Sequence, residues 1–374
     1  MAVIAHLTTV HRRHDIRILI KECCSLATIE FVEVHLIVAD DKPDEVYDGV
    51  SIHSIGNLKI SRIKRALLGS WLMFNSVRKL KPSVAHFHDS ELIGVGWLLK
   101  LLGIEVIYDV HEDLPRQILT KYWIPTILRQ PISLLMSLVE WFAGKNLNYI
   151  VSATPRIAER FPSGKTVVVQ NFPLLSEFVL PNATLYAERP PAFAYVGGIT
   201  AIRGVREMVA ALDLAGQRQS LTLELAGSFS PSRLEEEVRV MPGWERVNFL
   251  NWASRPEVAR LLGNVRAGLL LFHPVPNHIE AQPNKMFEYM AAGLPVIASD
   301  FPLWRNIINA VGCGILVDPM NPEEIAEAMC WILEHPTEAA EMGERGRKAV
   351  ESKYNWTTES KKLIELYKQI LNRV

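Results

Sequence analysis

Glu280-Ala281-Gln282-Pro283-Asn284-Lys285-Met286-Phe287-Glu288-Tyr289-Met290-Ala291-Ala292-Gly293-Leu294-Pro295-Val296-Ile297-Ala298-Ser299 is the stretch that decides the fold. Pro283 and Asn284 suit a helix start, Gly293 suits its stop, and an apolar strand follows at Pro295–Ala298. A helix that passes straight into a buried strand is the repeating unit of a parallel α/β sheet. The helix start turns its positive end toward the loop before it. Lys285 in the first turn opposes that dipole by roughly 0.3–1 kcal/mol, a cost an anion at the same place would offset. Glu288 lies three positions on, where its carboxylate suits two neighbouring hydroxyls such as those of a ribose. A surface ion pair with Lys285 is the plainer alternative, and by spacing alone the commoner one.

The same alternation extends outward in both directions. Strands are expected at Val3–Leu7, Val34–Val38, Val50–Ile55, Val84–His88, Val106–Asp109 and Tyr149–Ala153. A second series follows at Ala192–Val196, Thr222–Ala226, Val247–Leu250, Ala267–Leu271, Pro295–Ala298 and Gly314–Val317. Helical patterns separate them, which predicts an α/β protein with two Rossmann-like, doubly wound domains facing across a cleft. The stretch 175–192, with Pro181, Pro190 and Pro191, reads as a linker, giving domains at 1–180 and 190–356. A terminal amphipathic helix over 357–374, with Leu363, Leu366, Ile370 and Leu371 on one face, is expected to pack back on the first domain.

Tyr195-Val196-Gly197-Gly198-Ile199-Thr200-Ala201-Ile202-Arg203-Gly204 is a strand, a glycine pair and a loop entering a helix. Glycines there let backbone N–H groups approach a phosphate, and Arg203 adds a cation that binds through two nitrogens. A tight turn with a surface arginine explains the same residues without a ligand. No G-x-G-x-x-G loop follows the first strand, which argues against a nicotinamide dehydrogenase.

Several of these segments together resemble the retaining glycosyltransferases of family 4. The resemblance rests on two glutamates, Glu280 and Glu288, followed by Gly-Leu-Pro-Val-Ile-Ala-Ser. It also rests on Val10–Ala27 with His11, Asp15, Arg17, Lys21 and Glu22, on His86-Phe87-His88-Asp89-Ser90-Glu91-Leu92, on Tyr108-Asp109-Val110-His111-Glu112-Asp113, on the Gly-Gly…Arg-Gly loop and on Tyr354-Asn355-Trp356. It implies the two-domain GT-B fold and, more narrowly, the bacterial branch that assembles exopolysaccharide, capsule or O-antigen. By the resemblance Glu288 holds the donor ribose, Glu280 lies near the donor sugar, and Arg203 neutralises the diphosphate. Lys285 compensates for the arginine that many relatives carry where this chain has Gly198, and His111 touches the donor sugar near the reacting centre. Gly197, Gly198 and Gly227 complete the expected donor site. Arg12, Arg13, His14, His88 and Asp89 are expected on the acceptor side. The donor is expected to be a nucleoside-diphosphate sugar, with uridine more common than guanosine as the base. The acceptor is expected to be a saccharide or a lipid-linked saccharide.

Bulk properties fit this reading. The 374 residues exceed a typical domain of roughly 100–200. The net charge of −1 gives no sign of nucleic-acid binding. Cys23, Cys24, Cys313 and Cys330 show no metal-ligand spacing and read as reduced thiols of a cytosolic protein. Met1 leads directly into a strand, so no signal peptide is expected, and no apolar run reaches the ~20 residues a membrane span needs. No cofactor is expected and no metal, because no well-placed Asp-x-Asp is present; zinc stays open on ligand types alone. Basic residues gather in the first half. Lys59, Arg62, Lys64, Arg65, Arg78, Lys79 and Lys81 flank the apolar run Ala66–Phe74, and Lys121, Tyr122, Trp123 and Arg129 precede a second apolar helix. Such stretches suit contact with an anionic membrane or, as plainly, two core-facing helices with solvated lysines. A sugar-nucleotide epimerase or an inactive partner subunit are the competing functions.

Overall fold

The structure is a computed structural model and describes residues 1–58, 61–121, 123–179 and 184–373, with the side chains of Arg62, Ile63 and Lys64 outside that set. Lys59, Tyr122 and Pro181, each named above, also lie outside the described residues. Contacts divide the chain into two units, Met1–Asn171 with Trp356–Val374 and Phe172–Asn355.

The first unit is an eight-stranded sheet: β1 (Ala2–Thr8), β2 (Val32–Val38), β3 (Glu45–Tyr47), β4 (Val50–Ser54), β5 (Val84–Phe87), β6 (Glu105–Val110), β7 (Tyr149–Ser152) and β8 (Thr166–Val168). Its order is β3-β4-β2-β1-β5-β6-β7-β8, parallel throughout except for β3 against β4. The order reverses between β1 and β5, and sheets of this kind bind ligands at the carboxyl ends of strands around such a reversal. The sequence pattern located six of the eight strands. β3 and β8 are three residues each, too short for alternation to register, and sit at the sheet's two edges.

The second unit has six parallel strands, β9 (Ala192–Val196), β10 (Thr222–Ala226), β11 (Val247–Phe249), β12 (Ala267–Leu270), β13 (Val296–Ser299) and β14 (Gly314–Val317). They are ordered β11-β10-β9-β12-β13-β14, so this sheet reverses between β9 and β12. All six fall where the sequence places them. The boundary between units falls earlier than 175–192, because Phe172 and Phe178 are buried in the second unit's core. Phe172 meets the rings of Phe287 and Tyr354 edge-on.

The terminal helix Trp356–Leu371 belongs to the first unit. It buries Leu363, Leu366, Tyr367 and Ile370, and Trp356 Nε1 donates to Ser25 Oγ at 2.9 Å. Glu359 accepts from the Gln170 backbone N–H at 2.9 Å. The Tyr367 hydroxyl lies 2.8 Å from His86 Nδ1 and 3.3 Å from His6 Nε2, all fully buried. Removing that hydroxyl leaves buried imidazole nitrogens unpaired. Tyr367→Phe is expected to lower stability by about 1–3 kcal/mol, read as a lower urea midpoint at unchanged slope; an unmoved midpoint contradicts the contact.

Candidate functional site

The second unit's site is built at its sheet reversal, where β9 ends in Gly197 and Gly198. Gly197 has φ +122°, and a Cβ there would stand 2.6 Å from Lys285 Cε and 2.7 Å from its Nζ. A Cβ on Gly198 would stand 2.8 Å from Arg203 Nη1, which donates to the Gly198 carbonyl at 3.0 Å. The glycine pair therefore leaves room for two cationic head groups to lie against the strand end. Gly227, at the end of β10, acts sterically: its Cβ would fall 1.9 Å from the Gly197 carbonyl, so only glycine lets the two strand ends abut.

Lys285 enters from the helix Asn284–Ala291, whose start at Pro283 matches the sequence reading. Its ammonium lies 5.6 Å from the Tyr195 ring and 5.8 Å from that of Phe272. Burial first, and then the Arg203 charge, lower the ammonium to about 8. Nearby His278 is held at about 4 by burial, with Arg203 and Lys285 adding to the effect against the His273 carbonyl its ring contacts. Among the described residues neither Lys285 nor Arg203 has a carboxylate within ion-pair distance. The two half-buried cations therefore lie side by side at the end of β9, each without a carboxylate within ion-pair distance among the described residues, an arrangement that suits an anion.

Glu288 does not pair with Lys285. Its Oε1 takes Arg255 Nη1 at 2.9 Å, and Arg255 is shared with Glu177. The i, i+3 pairing weighed from spacing is thus replaced by a partner from another helix, Arg255–Leu262, which opens with a capping box from Ser254 and Glu257. Glu280 ends the short helix Pro276–Ile279 and is half-buried; the next residue is pinned by Trp304 Nε1 donating to the Ala281 carbonyl at 2.7 Å. Arg255 escaped the sequence reading, as did His273, which faces Glu207 at 3.0 Å. Only the Ser-Arg-Pro-Glu cap marked the first of these.

In the first unit, strand register gathers the polar residues. His6 on β1 stands opposite His86 on β5, and alternate residues share a face, so His88 and Asp109 extend the same row. Asp109 is buried and takes Arg17 Nε and Nη2 at 3.1 and 2.9 Å. Burial alone would raise this carboxyl, but Arg17 and His111 hold it well below the usual range. Arg17 also meets Glu22 at 3.0 Å. The two are five apart in the π-helical turn Ile16–Cys23, whose i→i+5 bonding stacks them, whereas an ordinary helix would splay them. Burial and the Asp109 charge push Glu22 well above the usual range, the opposite direction to Asp109.

His111 Nε2 lies 2.7 Å from Asp109 Oδ2, and that contact fixes the orientation of the ring. His88 Nδ1 faces the same oxygen at 3.2 Å, and burial lowers His88 to about 4. His88 Nε2 then accepts from His6 Nδ1 at 2.9 Å.

The expected acceptor-side residues divide. Asp89 is buried and ties two strand ends together, accepting from the Thr8 hydroxyl at 2.9 Å and the Thr9 backbone N–H at 2.6 Å. Arg13 is buried in a two-pronged contact with Asp40 at 2.8 and 2.9 Å. Both are occupied structurally. His14 is exposed and pairs with Glu45 at 2.9 Å, and Arg12 is exposed.

These two Rossmann-like units have the GT-B fold. Residues 176–349 match the family described as Glycosyl transferases group 1, and residues 26–172 match Glycosyltransferase Family 4. The chain belongs to the glycosyltransferases of this family 4 type. It is similar to the MMP alpha-(1->4)-mannosyltransferase of Mycolicibacterium hassiacum, at 20% identity over 312 residues, covering 77% of this chain and 71% of that protein. The fold matches sucrose-phosphate synthase from Thermosynechococcus elongatus with a TM-score of 0.80 at 19% identity, covering 100% of both chains. Anabaena HepE, solved in complex with UDP and glucose, matches with a TM-score of 0.74 at 11% identity over 99% of this chain and 100% of that one.

Protonated Lys285 is the form that attracts an anion. Above the second ionisation of the terminal phosphate, at about 6, diphosphate affinity is therefore expected to be level up to pH about 8 and to fall beyond it, by up to about tenfold per pH unit, until the higher pKa of the bound state is reached. Calorimetric titration with a nucleoside diphosphate across that range checks this. Lys285→Arg should abolish the fall, and an unchanged profile in that variant would remove Lys285 from the site.

Proposed function

We propose that the chain transfers a sugar, with retention of anomeric configuration, from a nucleoside-diphosphate sugar to a lipid-linked saccharide in surface-polysaccharide assembly. Uridine diphosphate is the preferred carrier, with guanosine the alternative. The observation that carries the reading is the uncompensated pair Lys285 and Arg203 against Gly197 and Gly198. The likeness to a mannosyltransferase and to a protein solved with UDP and glucose supports it.

Breaking the sugar–phosphate bond places negative charge on the departing diphosphate while the sugar becomes cation-like. Lys285 and Arg203 stabilise that charge where water is partly excluded, so no metal is needed for the step. Glu288 has one oxygen engaged by Arg255 and offers the other to the ribose hydroxyls. Glu280 lies toward the donor sugar. His111, oriented by Asp109, is available to a sugar hydroxyl. Among these groups none is placed as a nucleophile, and attack on the face the diphosphate leaves, assisted by its own oxygen, accounts for retention.

Arg203→Ala is expected to lower kcat/KM by 10²–10³, about 3–4 kcal/mol, and His111→Ala to lower kcat more than it raises KM. Wild-type activity should survive EDTA, and proton NMR of the product should show the donor's anomeric configuration. Conversion of the donor alone into an epimer, or loss of activity in EDTA, would contradict the assignment.

A further inference from the structure

The helix Thr126–Asn146 faces the wrong way for a core element. Its buried side carries Ser133, Glu140, Ala143 and Gly144, which are small or polar. Ser133 donates to the Pro115 carbonyl at 2.8 Å, and Glu140 pairs with Arg160 and accepts from the Tyr108 hydroxyl at 3.2 Å. Its outer side is apolar: Ile127, Leu134, Leu138 and Trp141 repeat at helical spacing and are 84%, 63%, 63% and 52% exposed. A parallel row one position on, Leu128, Leu135 and Phe142, is exposed as well. A core-facing helix would show the opposite pattern.

Two neighbours continue the surface. The crossovers β4 to β5, β5 to β6 and β6 to β7 all step the same way across the sheet, and right-handed connections put their helices on one face. The helix Ile93–Leu101 packs beside Arg62–Leu80, and its Trp97 meets Phe142 edge-on with ring centres 5.1 Å apart. It exposes Leu98 and Leu101, while the helix Arg62–Leu80 exposes Leu67 and Trp71. The charge on these helices is one-sided. Arg65, Arg78, Lys79, Lys100, Arg129 and Lys145 stand against a single carboxylate, the inward-facing Glu140. Arg65 is paired with Glu91 from outside them, and Lys145 lies 3.9 Å from the Trp141 ring.

We propose that this three-helix face, centred on Ile127, Leu134, Leu138 and Trp141, rests on the surface of an anionic phospholipid bilayer. Exposed leucines and tryptophans bordered by cations suit the boundary between acyl chains and headgroups. A second copy of the chain is disfavoured as the occupant, because a two-fold interface would set like-charged faces together. No helix among the described residues is long and apolar enough to cross a membrane, so the contact is peripheral. The inference deepens the lipid-linked acceptor proposed above and rests on it for its purpose, although lipid binding is measured with no acceptor present.

The test is co-sedimentation of the full chain with vesicles of phosphatidylcholine alone or mixed with phosphatidylglycerol. The chain is expected to partition at least about tenfold more strongly onto the mixed vesicles, with binding weakened by salt. The double variant Leu134→Glu, Leu138→Glu should lose that binding at least about tenfold while keeping its circular dichroism and its thermal shift with UDP. Equal partition of variant and wild type, or no vesicle binding by the wild type, overturns the proposal, and a dimer by light scattering would then make a second copy the occupant. Loss of the UDP shift with vesicle binding intact would count against the transferase reading and leave this surface standing.

Discussion

Two cations that have no carboxylate within ion-pair distance among the described residues, Lys285 and Arg203, are the constraint around which the second unit's site is arranged. Burial and the Arg203 charge both disfavour the Lys285 ammonium, a cost a folded protein retains only where something offsets it. Several local features follow. Gly197 and Gly198 lack side chains because the two head groups occupy that space, and Gly227 lacks one because β10 must end against the Gly197 carbonyl. The helix carrying Lys285 starts at the sheet's reversal, so its own dipole adds to the positive field. These are the features on which the proposal of a diphosphate ligand rests.

The first unit resolves its buried charge internally. Arg17 is held between Asp109 and Glu22, and the two carboxyls are shifted in opposite directions, Asp109 down and Glu22 up. Asp109 in turn fixes the ring of His111, the half-buried member of the group. A chain of imidazoles runs inward from there through His88 and His6 to Tyr367 on the terminal helix. The last residues of the chain are therefore tied to the group that orients His111, which explains why the terminal helix belongs to this unit despite lying far away in sequence.

Much of the fold was legible from alternation alone, because buried parallel strands are continuous apolar runs bounded by polar turns. What escaped depends on register and tertiary pairing. The row His6, His86, His88 and Asp109 needs the knowledge that β1, β5 and β6 are neighbours in that order. Arg17 over Glu22 needs a π-helical turn, which residue spacing read at 3.6 per turn does not offer. Glu288 was recognised, but its partner Arg255 comes from a helix about thirty residues earlier. Asp89 and Arg13 were placed at a ligand site by type and position, and the structure uses both to fasten loops. The outward apolar face of Thr126–Asn146 is the opposite case: sequence showed an apolar helix, and only burial showed which side it presents.

The measurement to make is a crystal structure of the chain with UDP or GDP. The diphosphate should lie between Lys285 and Arg203 against Gly197 and Gly198, with the ribose hydroxyls on Glu288. A diphosphate bound elsewhere, with Lys285 and Arg203 untouched, would contradict the reading of the paired cations on which the functional assignment stands.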